Sequence, residues 1–224
     1  MLMQKERNDI VEYGKMMSIS GLSKGTAGNI SIYDPETGYM AISPSGLNYD
    51  AVQPEDVVVC DLDCNIIDGT RKPSTECGMH AGFYRAKAAD GCHAIVHTHS
   101  DYATTLACVG EPIRAVHYLI ATIGTDLIPV VPYTTFGTHE LAEMAVEYCK
   151  EGQAVLLGNH GVVAFGPTIE KAFKNSVNVE SLAKTQWQCM CVGKMNVLSR
   201  KQIEDVMERF KTYGQGAKSD GKSY

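Results

Sequence analysis

The chain has 224 residues, 20 of them basic and 26 acidic, for a formal net charge of −6. That length suits one large domain, and an apolar share of 44% suits an ordinary globular core. The scattered basic residues exclude a nucleic-acid footprint, which needs clustered positive charge, and no run approaches the roughly 18 apolar residues of a membrane span.

The polar start, Met1 to Asp9, has no apolar run behind it and predicts a cytoplasmic protein without an export signal. The eight cysteines are then read mostly as small, reduced core residues. A first helix carries Ile10, Gly14 and Met17 at helical spacing and stops near Gly21. The Gly-, Ser- and Thr-rich stretch from Gly21 to Asn29 is a loop. Ile30 to Tyr33 and Tyr39 to Ser43 are strands joined by the turn Asp34-Pro35-Glu36-Thr37-Gly38, a hairpin. Val57 to Leu62 is apolar enough for a central strand. Pro73-Ser74 precedes a helix expected from about Glu76 to Ala89. His93 to His99 is a strand, and Ser100-Asp101 is expected to cap a short helix.

Thr138 caps a helix that reaches Lys150. Ala154 to Leu157 and Val162 to Phe165 are strands separated by Gly158-Asn159-His160-Gly161. A long helix follows from about Thr168 to Cys191. The last helix opens on a capping box, Ser199 with Gln202, and shows Ile203, Val206, Met207 and Phe210 on one face. A Gly-, Lys- and Ser-rich tail from Gly214 is expected to be disordered. Interspersed strands and helices with no linker or repeat predict one α/β domain over 1–224, its helices packed on a mixed sheet.

His97-Thr98-His99 is the most informative tripeptide. Side chains alternate along a strand, so both imidazoles point to the side of Ile95, while Ala94 and Val96 face the other. Two such rings make half of a catalytic zinc site, which takes three protein ligands and keeps an open position. His160, in a turn at a strand end, is the candidate third ligand; by itself it reads more often as a hydrogen-bonded turn residue. The other histidines, His80, His93, His117 and His139, are treated as structural or surface residues.

Glu76 stands at a helix start. By position it reads first as a carboxylate that complements the helix dipole, and second as a proton-transfer group beside a metal. Gly25-Thr26-Ala27-Gly28-Asn29, Ser43-Pro44-Ser45-Gly46 and Ser74-Thr75 are small-residue loops whose N–H and hydroxyl groups suit an anion. None matches a nucleotide-binding consensus, and each taken singly reads as well as an ordinary turn.

Together these pieces resemble the class II aldolase and adducin-head family over nearly the whole chain, to Tyr213. The resemblance rests on Gly25-Thr26-Ala27-Gly28-Asn29, Ser45-Gly46, Pro73-Ser74-Thr75-Glu76, Val96-His97-Thr98-His99, His117-Tyr118, Thr135-Phe136-Gly137-Thr138, His160-Gly161 and Phe210-Lys211-Thr212-Tyr213-Gly214. It implies a three-layer αβα sandwich around a mixed, largely antiparallel sheet. It also implies one zinc ion per subunit on His97, His99 and His160, and Glu76 as acid/base. Thr26, Gly28, Asn29, Ser45, Gly46, Ser74 and Thr75 are then the substrate phosphate site. Tyr118 would reach a neighbouring subunit's site, Tyr213 would close over the substrate, and Phe136 would wall the aldehyde end. The sequence has Ser at 45 and Thr at 75 where the aldolase pattern has Thr and Ser, which keeps both hydroxyls.

The implied assembly is a homotetramer with sites at subunit contacts. The implied reaction is aldol cleavage of a ketose 1-phosphate, L-fuculose 1-phosphate foremost, to dihydroxyacetone phosphate and L-lactaldehyde. Its rivals on the same scaffold are L-ribulose-5-phosphate 4-epimerase and a thioribulose-phosphate dehydratase. A non-catalytic binding module like the adducin head is the further alternative.

Overall fold

The computed structural model describes residues 1–213, so the tail expected to be disordered lies outside the described residues. The first helix is α1, Gln4–Ile19. The hairpin forms from β1, Asn29–Asp34, and β2, Tyr39–Ile42. Its turn is held by Asp34, whose carboxylate accepts from the Glu36 N–H and the Thr37 hydroxyl, a local bond that replaces a backbone one. The strand expected over Val57 to Leu62 is shorter, β3 at Val58–Cys60, and is followed by β4, Ile66–Asp68. The helix expected from Glu76 is α2, Cys77–Lys87, continued by a 3-10 turn over Ala88–Asp90.

The strand β5 covers Ala94–Thr98 and α3 covers Asp101–Cys108. The stretch from there to Thr138, for which the sequence shows no periodicity, holds β6 (Ile113–Arg114), a 3-10 helix (Tyr118–Ile123), β7 (Leu127–Ile128) and β8 (Val130–Val131). The remaining elements are α4 (His139–Tyr148), β9 (Ala154–Leu157), β10 (Gly161–Gly166), α5 (Ile169–Val192) and α6 (Arg200–Phe210). Thr138 caps α4, and Ser199 with Gln202 completes the capping box of α6.

One cap differs from expectation. Ser100 precedes α3 but makes no side-chain cap bond. The Glu180 carboxylate, reaching over from α5, accepts from the N–H groups of Tyr102 and Ala103, each at 2.9 Å. A full negative charge satisfies two orphan donors at a helix N-terminus better than a hydroxyl satisfies one.

Eight strands form one sheet in the order β4-β3-β2-β1-β5-β10-β9-β8. Every neighbouring pair is antiparallel except β8 with β9. The strands β6 and β7 form a separate pair. Alternation along each strand feeds two cores. Met40, Ile42, Ile95, Val155, Val163 and Phe165 pack with α2 and α4 on one face. On the other, Ala94, Val96, Ala154, Leu156, Val162 and Ala164 meet α1, α3, α5 and α6. The result is the expected αβα sandwich, with β1, β5 and β10 at the middle of the sheet. No described helix is long and apolar enough to cross a membrane. All eight cysteines are free thiols, and Cys60, Cys77, Cys92 and Cys149 are buried.

Candidate metal centre and substrate cleft

His97 sits near the end of β5 and registers with Asn29 of β1 on one side and Val163 of β10 on the other. Its ring points to the α2 side, as Ile95 does, and is fully buried. The Nδ1 of His97 donates to the Val162 carbonyl at 3.0 Å. That bond fixes the tautomer and turns the Nε2 lone pair outward. His99 follows just beyond the strand, with its Nε2 at 3.0 Å from that of His97. His160 comes from the turn between β9 and β10. The three ligand atoms all lie within 4.8 Å of one another, and the three rings meet edge to face at centroid distances of 4.8 to 4.9 Å.

Nitrogens bound tetrahedrally to one zinc ion at about 2.0–2.1 Å sit about 3.3 Å apart, close to the His97–His99 separation. Two imidazole nitrogens face each other in a buried place when a proton or a bound cation lies between them. Two buried polar atoms beside the cluster, Glu76 Oε1 and His160 Nδ1, have no hydrogen-bond partner among the described residues. The donor set and these orphaned atoms fit a divalent metal.

Glu76 is the N-cap residue of α2, yet its side chain makes no cap bond. The carboxylate instead turns into the sheet, with Oε2 at 3.1 Å from His97 Nε2 and Oε1 at 3.5 Å from His160 Nε2. Burial would raise its pKa, but His97, then His160 and the Asn29 amide outweigh burial and hold it well below the usual carboxylate range. Burial opposes charge on His97 too, and Glu76 overrides it, so the His97 pKa is raised. Burial, with the positive charge of His97, pushes His99 and His160 down to about 4. In the metal-free protein Glu76 thus favours a proton on His97, and the other two rings stay neutral at neutral pH.

The cluster forms one end of a cleft of about 350 Å³. The other end is built from three loops: Thr26 to Asn29 leading into β1, Pro44 to Gly46 after β2, and Ser74-Thr75 before α2. The Ser74 N–H donates to the Ser43 carbonyl and the Ser45 N–H to the Lys72 carbonyl, which clamps the last two loops together. Ser74 and Thr75 lie at the positive end of α2, where N–H groups attract anions. Gly28 has φ +75°, and a Cβ there would sit 2.5 Å from the His97 carbonyl oxygen. Only glycine lets this loop lie against the strand that carries the cluster.

Thr26, Gly28, Asn29, Ser45, Gly46, Ser74, Thr75, Glu76, His99, His160 and Phe136 all line this one cleft. Asn29 donates from Nδ2 to Glu76 Oε2 at 2.8 Å, so it bridges the small-residue loop and the carboxylate. Tyr118 and Tyr213 lie elsewhere. They flank Phe210, at ring distances of 6.3 and 6.2 Å, in a separate exposed groove on α6. Sequence reasoning missed Tyr133, Thr134 and Asn159, which also line the cleft; Asn159 adopts φ +55°, a conformation that its place between two glycines in a strand-to-strand turn could have flagged. It also set His80 aside. That residue stands one helical turn past Glu76, spacing that puts both on one face.

A model of the class II aldolase and adducin N-terminal domain matches residues 8–187. A 5-deoxy-D-ribulose 1-phosphate aldolase of Bacillus thuringiensis serovar kurstaki is 46% identical over 215 residues, 96% of this chain and 100% of that one. A 5-methylthioribulose-1-phosphate/5-deoxyribulose-1-phosphate aldolase of Rhodospirillum rubrum is 38% identical, covering 94% of this chain and 93% of its own. The solved structure of an L-fuculose 1-phosphate aldolase superposes with a TM-score of 0.89 at 38% identity, over 92% of this chain and 96% of that one.

Proposed function

The chain belongs to the class II aldolase and adducin N-terminal domain family, and from that premise we propose that this metal-dependent sugar-phosphate aldolase acts on 5-deoxyribulose 1-phosphate. The observation that carries the reading is the cleft itself. A three-imidazole cluster with a half-free buried carboxylate closes one end, and loops of N–H and hydroxyl donors close the other. The choice of sugar moves away from L-fuculose 1-phosphate because the 46% relative carries the shorter sugar's name and the fuculose enzyme stands at 38%.

The C3–C4 bond of the ketose breaks. The proton leaves the C4 hydroxyl, which becomes the carbonyl of acetaldehyde, and the bond's electron pair passes into the ketone as an enediolate. A proton delivered to C3 then yields dihydroxyacetone phosphate. A divalent cation on His97, His99 and His160, zinc in this reading because imidazoles suit it, supplies a Lewis acid for the oxygens of the substrate. Glu76 moves the proton at C3; Oε1 is the oxygen that makes no hydrogen bond among the described residues. Thr26, Gly28, Asn29, Ser45, Gly46, Ser74 and Thr75 hold the phosphate with neutral donors and so fix the reacting carbons against the carboxylate. Phe136, with Tyr133, offers an apolar wall to the terminal methyl group. Tyr118 and Tyr213 stand outside their own chain's cleft, so the roles expected of them belong to a homotetramer in which tyrosines serve a neighbour's site.

The test presents both sugars to metal-stripped and zinc-restored protein, with release of dihydroxyacetone phosphate followed by a coupled dehydrogenase. We expect release only after zinc is restored, with kcat/KM for 5-deoxyribulose 1-phosphate at least about tenfold above L-fuculose 1-phosphate, the discrimination that one extra carbon commonly brings. The reverse order restores the fuculose assignment, and release from neither sugar overturns the substrate class.

A further inference from the structure

Behind Glu76, on the side away from the cleft, four polar side chains run in single file through the core. Asn29, His80, Ser31 and Tyr84 are all at most 4% exposed. Asn29 Nδ2 lies 2.8 Å from Glu76 Oε2. His80 Nε2 is 2.5 Å from Asn29 Oδ1, and His80 Nδ1 is 2.5 Å from Ser31 Oγ. Ser31 Oγ is 2.5 Å from the Tyr84 hydroxyl. His80 and Tyr84 lie on α2, the helix whose N-cap is Glu76, and Asn29 and Ser31 lie on β1.

The chemistry of these groups leaves one direction for every hydrogen. The ionised carboxylate only accepts, so Asn29 presents N–H to it. The Asn29 oxygen must then accept from His80 Nε2–H. Burial, with the charge of His97, holds the His80 ring down to about 3, so it is neutral and its Nδ1 accepts. Ser31 donates to that nitrogen and accepts in turn from Tyr84. Reversing any one link turns the Asn29 amide over and sets its oxygen against a buried carboxylate, an arrangement with no donor between two acceptors.

We propose that His80 is a positioning residue for the proton-transfer carboxylate. Through the amide of Asn29 it pins Oε2 of Glu76 and leaves Oε1 as the oxygen that exchanges a proton with substrate. The proposal rests on Glu76 serving as the base. It differs from a packing role because an apolar side chain of similar size fills the same space without orienting the amide.

Two measurements test it. The first reads the ring nitrogens of His80 by 15N NMR in the full-length wild-type protein at neutral pH, assigned by their loss in His80→Gln. Nε2 is expected to carry the proton and Nδ1 to be bare; the opposite tautomer overturns the direction of the chain, and with it the proposal, whatever the activity. The second compares two variants of the metal-loaded enzyme. His80→Leu removes both donor and acceptor; His80→Gln keeps one of each. We expect the Leu variant to lose about 10–100-fold in kcat, the usual scale for such outer partners, with KM and metal content close to wild type. Solvent-deuterium exchange into C3 of dihydroxyacetone phosphate should fall in step, and the Gln variant should recover most of both. A folded Leu variant with wild-type kcat, or a Gln variant as poor as the Leu one, overturns it. A wild type that exchanges no deuterium at C3 removes the base assignment instead, and the tautomer then still reports on the chain.

Discussion

Gly161→Ala should damage the metal cluster without touching a ligand. Gly161 opens β10 beside His160, and its φ is ordinary, so the backbone itself does not object to alanine. Space does: the new Cβ would lie 2.4 Å from the Thr98 carbonyl oxygen, 2.9 Å from His99 Cδ2 and 3.4 Å from His97 Cε1. The first contact is backbone on the neighbouring strand and cannot rotate away. Relief requires β5 and β10 to part by close to an ångström beside His97, His99 and His160, against ordinary carbon–oxygen contact distances. Such overpacking costs about 1–3 kcal/mol, or roughly 2–12 °C in Tm for a domain of this size. Displaced ligands lose affinity as well, by about 10–100-fold, the penalty for disturbing a metal site's support. Melting the metal-free protein isolates the steric cost, and competition with a chromophoric chelator isolates the affinity. A variant that matches wild type in both would refute the close approach.

Three further outcomes follow from the same structure. Glu180→Ala strips two acceptors from the start of α3 and should lower Tm by about 2–8 °C, from a cap worth about 1–2 kcal/mol; an unchanged Tm would show that solvent replaces the carboxylate at no cost. Gly78→Ala meets nothing within 4 Å in the first turn of α2 and should raise stability by a few tenths of a kcal/mol, read as a higher urea midpoint; a lower one would contradict the open space. The metal-free protein should lose stability as pH falls from about 6.5 to 4. His99 and His160, held near 4, refuse protons that the unfolded chain accepts in that window. His97 works the other way, since its raised pKa adds stability that is full below about 6.5 and fades above it. Glu76, shifted down, gives stability that is present above about 4.5 and lost only towards its own low pKa. Thermal melts across pH 4 to 7.5 check the balance, and a flat metal-free Tm between 6.5 and 4.5 would reject it.

The sandwich was legible because its main strands are long enough to alternate and its caps are local. Thr138 and Ser199 bond to residues three positions on, so sequence alone places them. Glu180 caps α3 from 77 residues away, and nothing near Ser100 announces that. The segments β6, β7 and β8 have two residues each, too few for any period. Within the site, His97 and His99 are readable as one face of the expected strand His93 to His99, although β5 itself ends at Thr98. The direction of the Glu76 side chain is not, because a helix start offers a carboxylate its own N–H groups. What wins it over is the buried ring of His97 at 3.1 Å and the Asn29 amide at 2.8 Å, and only the sheet brings those close. His80 was set aside for a related reason: four residues past Glu76 is a visible spacing, but the amide that links them belongs to β1.

The place of β5 in the sheet has a consequence for how the chain acquires its metal. His97 pairs with Asn29 on one flank and with Val163 on the other, so the cluster exists only once strands from both halves of the sequence have met. Contacts of such separation form late and slowly, since long loops must close before they reward the chain. Of this cluster, a cation therefore finds in the unfolded polypeptide only the neighbouring pair His97 and His99, and its full grip comes with the finished sheet. Binding of that kind lifts the stability of the whole domain by mass action, by about 2.7 kcal/mol at a hundredfold excess over Kd. The metal acts here as a lock on an assembled fold and not as a seed for it.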